Sequence, residues 1–280
     1  MHHEDFIARQ KRIVLDGVAH IPLEIAYTDL GDGHPIILMH GIPTWSYLYH
    51  EVLDRLSENN RVLAPDFIGH GMSAQRDQFD RSLRAQRDMI VSFMNALDIS
   101  RATLIGHDTG GGVALIMAVE NPDRVDKLVL SNIVAYDSWP IDDMINVGHP
   151  DWTRKSNAEI REFLVGGFDD GLSRKERLTS EFVNGIVAPY ITDTGKVSLV
   201  RNASGLNTSH TTMLVDRHAK ISAETLLVWG EDDPWQPITD GERLAQDIPN
   251  AHLVRVKNAS HWIPQDAPDE WLTEVLAFVR

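Results

Sequence analysis

The sequence predicts an α/β fold with a mostly parallel sheet of about eight strands, helices on both faces and a helical cap insertion. Short apolar runs recur along the chain and alternate with helix-like segments, which is the pattern of a doubly wound sheet. One long stretch without such runs interrupts the alternation. The chain of 280 residues is long enough for one large domain that carries an insertion.

The strand predictions rest on the length of each apolar run and on its flanking residues. The opening runs RIVLDGVAH and IPLEIAYTDL predict an antiparallel pair with Gly17 near the turn. Further runs bounded by Gly, Pro or Asp predict buried strands of a parallel sheet: PIILMH, RVLAPD, ATLIGH, KLVLSN, TLLVWG and HLVRV. Helices are predicted over residues 45–56, 82–97, 110–120, 238–248 and 270–279.

Residues 136–218 break this alternation, because no clear strand is predicted there and helical patches such as NAEIREFLVGG dominate. Ordinary connections span only a few residues. We therefore predict a helical cap at 136–218, inserted between core segments 1–135 and 219–280; the alternative is a plain extension of the core. A cap in this position would lie over the carboxyl ends of the strands, where open sheets bind their ligands.

The composition excludes several classes of function. A net charge of -15 argues against nucleic acid and anionic membranes as partners. The absence of cysteine excludes disulfides, thiolate catalysis and Cys-type zinc sites, and we predict neither a metal site nor a cofactor. The N-terminal segment MHHEDFIARQ lacks the apolar core of a signal peptide, and no apolar run approaches membrane-spanning length. We expect a cytoplasmic protein whose partners are a small-molecule substrate and water, in an oligomeric state that the sequence leaves open.

Asp108 is the first candidate for chemistry. The predicted strand ATLIGH runs into the bend GHDTG and then into a predicted helix. A strand, a sharp bend and a helix form the context of the G-x-S-x-G elbow, which raises a nucleophile above a sheet. Here an aspartate stands in the place of the serine. The alternative is a simple helix cap, but glycines on both sides permit the strained turn that a protruding nucleophile requires.

The segment HGIP, directly after the predicted strand PIILM, is the second candidate. It resembles the loop that contributes one backbone N–H to an oxyanion hole. Ile42 would supply that N–H and Thr109 the other. Alone, the segment is compatible with any tight turn; together with the elbow it predicts an oxyanion hole.

An acid and a histidine follow later predicted strands. TLLVWG is followed by Asp232 and Asp233; we predict that Asp233 orients a histidine, with Asp232 as the alternative and a plain Asp-Asp-Pro turn as another. His261 follows the last strand, where a lone histidine is usually a surface residue. However, the order Asp108, Asp233, His261 matches the order nucleophile, acid, histidine of one large hydrolase family.

Together these segments resemble the α/β-hydrolase family across essentially the whole chain. G-x-D-x-G resembles the branch with an aspartate nucleophile: haloalkane dehalogenases, haloacetate dehalogenases and epoxide hydrolases. HGIPTWSYLY is similar to the H-G-x-P-T-x-S-Y-L segment of haloalkane dehalogenases, and the placement of the acid and the APY at 188–190 resemble their class I members. The resemblance implies that Asp108 attacks a carbon that bears a halide or an epoxide oxygen. The resulting alkyl ester is stable until water activated by His261 attacks it, whereas attack on an ester carbonyl would give a reactive anhydride.

The sequence departs from each subfamily at a diagnostic position. Haloalkane dehalogenases place a halide-binding tryptophan after the nucleophile, and haloacetate dehalogenases an arginine, but here the residue is Thr109. The residue after His-Gly, often Asn or Glu in haloalkane dehalogenases, is Ile42. Epoxide hydrolases polarise the oxygen with two cap tyrosines, one in a W-Y-R-N-like segment, and the comparable stretch here is LVRN at 199–202.

Aromatic residues of the predicted cap are candidate replacements. The indole N–H groups of Trp139 and Trp152 could hold a halide, and Tyr136 or Tyr190 could polarise an epoxide. Trp262, beside His261, is predicted to line the pocket. Each cap aromatic could instead be a core residue.

The sequence therefore leaves three functions open. A hydrolase that cleaves a carbon–halogen bond leads, because of the H-G-x-P-T-W-S-Y-L segment. An epoxide hydrolase would share every catalytic residue. A non-catalytic binder of small molecules on the same fold is the third, although such a binder need not keep the acid and the histidine.

Overall fold

The structure, a computed structural model, describes residues 1–75 and 77–280. Within them one sheet contains β1 Lys11–Leu15, β2 Leu23–Leu30, β3 His34–Met39, β4 Asn60–Pro65, β5 Ala102–Asp108, β6 Val125–Ile133, β7 Glu224–Gly230 and β8 Ala251–Val256. The strand order is β1-β2-β4-β3-β5-β6-β7-β8. β2 is antiparallel to β1 and to β4, and the other neighbours are parallel. The predicted fold class is confirmed.

The α-helices of the described residues lie between and around these strands. They are α1 His3–Arg9, α2 Leu53–Leu56, α3 Leu83–Ala96, α4 Thr109–Glu120, α5 Asp142–Val147, α6 Asn157–Asp170, α7 Ser180–Val187, α8 Asp193–Ser204, α9 Ser209–Thr212, α10 Ile238–Asp247, α11 Ile263–Asp266 and α12 Pro268–Val279. Short 3-10 turns cover Ser46–Tyr49, Pro122–Arg124, Pro150–Arg154, Lys175–Arg177 and Val215–Lys220. None of these helices is both long and apolar enough to cross a membrane.

The core lies in two layers, one on each face of the sheet. Strand β3 illustrates the division, because Ile36 and Leu38 join one buried cluster while Ile37 and Met39 join the other. This alternation is the period of two that a strand imposes on its side chains. Strand β5 is buried along its whole length, as expected for a central parallel strand covered on both faces.

The single helix predicted over residues 45–56 is wrong. A 3-10 turn at Ser46–Tyr49 and the four-residue α2 replace it. The aromatic segment is buried on every side, whereas a surface helix keeps one face exposed. Its backbone also has a partner outside the segment, since the Ser46 N–H donates to Asp66 Oδ1 at 3.0 Å.

Between β6 and β7 the chain forms helices α5 to α9 and no strand, and every residue of this stretch is described. The capping box of α6 marks a clear start, because the Ser156 hydroxyl accepts from the Glu159 N–H while the Glu159 carboxylate accepts from the Ser156 N–H. This helical stretch contains the whole range 136–218.

Helix α4 packs closely on the end of β3, and Gly110 makes this approach possible. A Cβ atom at Gly110 would lie 2.2 Å from the Met39 carbonyl oxygen and 2.4 Å from that of His40. Both are backbone atoms of the strand end, so neither could move without displacing the strand. The glycines of the bend therefore set the distance between helix and sheet.

We expect Gly110→Ala to lower the free energy of unfolding by about 1–3 kcal/mol, because the added methyl group overpacks this contact. Gly166→Ala is the matched control within α6, where an added Cβ meets nothing within 4 Å. It should raise the stability by about 0.5–1 kcal/mol, through the better helix propensity of alanine. Urea unfolding measures both changes, and effects of the same sign would contradict the packing argument.

Candidate active site

Asp108 stands at a strained backbone position between β5 and α4. Its φ is 51° and its ψ is -124°, in a region that residues with a side chain rarely adopt. Its neighbours tolerate the tight bend because Gly106 and Gly110 have no Cβ to clash there. The turn carries the carboxylate to the carboxyl end of the sheet, where it is 5% exposed.

The two oxygens of the Asp108 carboxylate have different surroundings. Oδ1 accepts a hydrogen bond of 2.7 Å from the Ile42 N–H, and the Thr109 N–H also donates to this carboxylate. Oδ2 lies 3.9 Å from His261 Nε2. Burial raises the pKa of Asp108, while His261 and the two backbone donors oppose that rise.

The loop after β3 is built to approach Asp108. A Cβ at Gly41 would lie 2.1 Å from Asp108 Oδ1, so only glycine lets the Ile42 N–H come so near. His40 fixes this loop from behind: its Nδ1–H donates to the Gly41 carbonyl at 2.8 Å, and its Nε2 accepts from the Phe67 N–H at 3.0 Å. Burial lowers the pKa of His40 to about 4, which keeps the ring neutral for both bonds.

His261 bridges two carboxylates. Its Nδ1–H donates to Asp233 Oδ2 at 2.9 Å, and its Nε2 faces Asp108. Burial disfavours the charged ring, but the charge and hydrogen bond of Asp233, with the charge of Asp108, outweigh burial and raise the pKa of His261. Asp232 lies elsewhere, since its Oδ2 accepts from the Ser173 hydroxyl at 2.9 Å. The structure thus brings Asp233, rather than Asp232, to the histidine.

Asp233 is itself held by several donors. Its Oδ1 accepts from the N–H groups of Trp235 and Gln236, at 2.8 and 3.0 Å. Its Oδ2 accepts from Asn132 Nδ2 at 2.7 Å as well as from His261. These bonds fix the carboxylate and leave its Oδ2 directed at the imidazole.

Asn132 and His107 are positioning residues that the sequence analysis did not identify. Asn132 is the penultimate residue of β6 and has a φ of 46°, and its side-chain amide oxygen also accepts from the Gly230 N–H at 2.9 Å. His107 precedes the candidate nucleophile and donates through Nε2 to the His261 carbonyl at 2.8 Å. The polar ending of KLVLSN, at the edge where ligands bind in such sheets, was the available signal for Asn132.

A cavity of about 360 Å³ adjoins these groups, a volume in the usual range for small-molecule sites. The core contributes Ile42, Pro43, Asp108, Thr109, Val134, Trp235, Gln236, His261 and Trp262, and the helical segment contributes side chains from Trp139 to Leu206. No group of three His, Asp or Glu side chains within the described residues is arranged to hold a metal ion.

Of the aromatic residues singled out in the sequence, Trp139 and Trp262 line this cavity. Both indole N–H groups already have partners, because Trp139 donates to Thr211 Oγ1 at 2.9 Å and Trp262 to the Gly167 carbonyl at 3.2 Å. These two indoles therefore form part of the cavity wall, and their N–H groups are already used in hydrogen bonds within the protein.

Trp152 and Tyr190, predicted as leaving-group residues, do not belong to the described lining of the cavity. Trp152 packs on Phe163, with ring centroids 4.6 Å apart. Tyr190 is completely buried, and its hydroxyl donates to the Thr44 carbonyl at 2.7 Å. Both predictions are corrected: these residues pack the interior. Tyr136 is likewise engaged, since its hydroxyl donates to Asp247 at 2.8 Å.

Trp235 is the tryptophan of the cavity that the sequence analysis missed. Its ring meets that of His261 edge to face, with centroids 4.9 Å apart. Its indole N–H donates to none of the residues that the structure describes. Its position two residues after Asp233 was the signal that could have identified it.

Comparisons with known proteins identify the family of the chain. A family model described as "alpha/beta hydrolase fold" matches residues 34–268. The chain is 30% identical over 259 residues to "Haloalkane dehalogenase 2" of Mycobacterium tuberculosis, covering 88% of this chain and 87% of the relative. The structure of an "alpha/beta hydrolase fold protein from Burkholderia ambifaria" has a TM-score of 0.88 and 26% identity, covering 95% and 97%. "Epoxide hydrolase CorEH" has a TM-score of 0.77 and 22% identity, covering 96% and 97%, which is a likeness of fold alone.

We expect the pKa of His261 to lie above 6.5 and to fall in Asp233→Asn, because the amide removes the charge that outweighs burial. Asp232→Asn is the matched control and should leave this pKa unchanged, since Asp232 contacts Ser173 instead. NMR titration of the imidazole protons measures the pKa of His261 in the unmutated protein and in both variants. An equal fall in both variants would contradict the assignment of Asp233 as the partner.

The same shift predicts a pH dependence of stability. Because the folded-state pKa of His261 is raised, its stabilisation is complete below the unfolded pKa of about 6.5 and is lost as pH rises through the folded value. Urea unfolding across this window should therefore show a larger loss of stability in the unmutated protein than in Asp233→Asn.

Proposed function

The chain belongs to the α/β-hydrolase family and is a hydrolase of that fold; on this premise we propose that it cleaves the carbon–halogen bond of small organic molecules through an alkyl ester on Asp108. One observation carries the proposal. The elbow holds a carboxylate with Oδ1 fixed by a backbone N–H and Oδ2 beside both His261 and the cavity. We further propose that residues 136–218 act as a cap that excludes bulk water from this cavity.

In the first step, Asp108 Oδ2 attacks the carbon that bears the halogen. A carbon–oxygen bond forms, the carbon–halogen bond breaks, and the halide leaves with the bonding electrons. The nucleophile must be ionised. Since burial raises the pKa of Asp108, this step should slow as pH falls through that raised value.

In the second step, water attacks Cγ of the ester while His261 Nε2 accepts its proton. The negative charge develops on Oδ1, to which the Ile42 N–H donates, and the Thr109 N–H, which also acts on this carboxylate, would be the second donor. The intermediate collapses to the alcohol and the free Asp108 carboxylate, with the alcohol taking a proton and one proton passing to solvent. His261 must be neutral to act, so hydrolysis of the ester should accelerate as pH rises through its raised pKa.

Asp233 would serve the second step in two ways. Its hydrogen bond to Nδ1 leaves Nε2 as the free nitrogen facing the ester. Its charge would also stabilise the imidazolium that forms when water is deprotonated, as in other triads. The hydrogen bonds from Asn132 and from the loop after β7 hold the Asp233 carboxylate in position beside the imidazole ring.

The lining of the cavity favours a halide over an epoxide. Opening an epoxide requires a proton donor for its oxygen, and no tyrosine belongs to the described lining. The hydroxyls of Tyr136 and Tyr190 are committed to Asp247 and to the Thr44 carbonyl. The relative of 30% identity is named for its action on haloalkanes, which supports the same choice.

We assign the role of halide donor to Trp235. An indole N–H is a suitable donor for a departing anion, and charge-assisted hydrogen bonds are the stronger ones. Among the cavity tryptophans, Trp235 is the one whose N–H donates to no described residue, whereas Trp139 and Trp262 already have acceptors. This role replaces the one that the sequence predicted for Trp152.

Trp235→Phe should slow formation of the ester about ten- to a hundredfold, by loss of one hydrogen bond to a developing charge. Trp152→Phe is the control with the same chemical change and should leave the rate unchanged, because Trp152 packs behind the cavity residue Phe163 and is not itself part of the described lining. Single-turnover mixing with 1-bromobutane measures the step. Equal rates in the two variants would remove Trp235 from the leaving-group site.

The decisive experiment traps the ester. His261→Gln should react once with 1-bromobutane and stop, because the first step does not use the histidine. Its intact mass should rise by one butyl group, and digestion should place that group on the peptide containing Asp108. Asp108→Asn is the control and should show no adduct initially, since an amide is a poor nucleophile. An adduct formed by styrene oxide and not by 1-bromobutane would favour the epoxide hydrolase, and no adduct with either would leave the non-catalytic binder.

The origin of the product oxygen gives an independent measurement. In heavy-oxygen water, a single turnover of the unmutated enzyme should release an alcohol carrying ordinary oxygen from Asp108. Heavy oxygen in that first product would mean that water attacks the substrate directly, with Asp108 as a general base.

A further inference from the structure

Gln236 is a polar side chain of the cavity that the proposed reaction does not use. The residue is 3% exposed and belongs to the cavity wall. Its Oε1 is buried without a hydrogen-bond partner. Its hydrogen bonds to described residues come from the backbone, through the N–H to Asp233 and the carbonyl from the Trp229 indole.

The backbone bonds make Gln236 a fixed part of the wall. Because the N–H holds Asp233 at 3.0 Å and the carbonyl accepts from Trp229 at 2.9 Å, the loop is anchored on both sides of the side chain. An amide oxygen buried without a partner is unfavourable, since it has lost water and gained nothing in exchange. The Nε2 of the same side chain is not among the fully buried atoms and donates to none of the described residues, so a group that enters the cavity can bind the amide there.

The remaining lining indicates the chemistry of that group. Much of the wall is apolar or aromatic, including Phe163, Phe168 and Trp262. The charged side chains on the helical side are Asp143, Glu162 and Asp170, and the described lining contains neither lysine nor arginine. The charge on His261 is already balanced by Asp108 and Asp233, so such a wall offers no free counter-ion to a carboxylate and repels it. An anionic partner for Gln236 is therefore disfavoured.

We propose that Gln236 is a substrate-recognition residue, whose amide binds an uncharged hydroxyl, ether or carbonyl oxygen on an otherwise apolar substrate. The assignment rests on the proposed function in that this substrate is the one that Asp108 attacks. It adds that the preferred molecule carries a second, polar position besides its leaving group. A hydroxyl satisfies the amide in either orientation, because it can donate to Oε1 or accept from Nε2.

Gln265 provides a matched control elsewhere in the chain. Its Oε1 is also buried without a partner, and the residue is 1% exposed. However, its Nε2 donates to the Arg177 carbonyl at 2.8 Å, and Gln265 is not part of the described cavity wall. Methionine has nearly the shape of glutamine without the amide, so Gln236→Met and Gln265→Met make the same change inside and outside the cavity.

The test uses two unreactive probes of equal shape, benzyl alcohol and ethylbenzene, which differ by a hydroxyl in place of a methyl group. Dissociation constants come from quenching of tryptophan fluorescence. Gln236→Met should weaken benzyl alcohol about three- to tenfold, the range for one hydrogen bond, and leave ethylbenzene unchanged. Gln265→Met should change neither constant. Gln236→Leu, with the same expected pattern, is the second variant if the methionine protein does not fold.

Equal weakening of both probes by Gln236→Met would assign the residue to packing and overturn the proposal, as would no change in either constant. Benzoate tests the preference for uncharged groups: binding by the unmutated protein as tight as that of benzyl alcohol would overturn it. Neither probe can be turned over, so these outcomes are independent of the ester trapping. If no ester is trapped but Gln236→Met still weakens benzyl alcohol, the proposed reaction alone is contradicted. If the ester is trapped but Gln236→Met changes neither constant, the role of Gln236 alone is contradicted.

Discussion

The backbone of Asp108, held at a φ of 51° between β5 and α4, is the constraint on which the rest of the site depends. A residue with a side chain adopts this conformation only where its surroundings impose it. At Asp108 the conformation is imposed by two contacts, the close packing of Gly110 on β3 and the approach of Gly41 to Asp108 Oδ1. The same contacts orient the Ile42 N–H, so the packing that holds the turn also brings a hydrogen-bond donor to the carboxylate.

Burying two carboxylates beside one imidazole requires compensation, because isolated charges are strongly disfavoured away from water. His261 provides the positive charge between Asp108 and Asp233, and its raised pKa expresses that balance. Neutral hydrogen-bond donors complete the compensation of the buried charges. Asn132 binds Asp233 without adding charge, and His107, whose pKa burial holds well below its ordinary value, binds the His261 carbonyl as a neutral ring.

The sequence was sufficient to predict the features that short-range patterns encode, namely the strands of the sheet and the turn at Asp108. Run lengths predict the sheet, and the bend around Asp108 predicts a turn because its glycines are local requirements. The predicted helix at 45–56 failed because burial on all sides is a property of the tertiary structure. The same reason explains the error at Trp152: whether Trp152 or Trp235 faces the cavity depends on how distant segments pack, which the periodicity of the sequence does not encode. Asn132 was missed because its partner lies far along the chain, after β7.

Trp262 joins the helical segment to the loop of His261 at two points. Its indole donates to the Gly167 carbonyl at 3.2 Å, and its backbone N–H donates to the Gly171 carbonyl at 3.1 Å. Helix α6 is thus tethered to the residue that follows His261. An outward swing of α6 would strain these hydrogen bonds and pull on the residue beside His261, so the helix and the imidazole form one mechanical unit. Any opening of the cavity by a movement of the end of α6 would therefore displace His261 as well.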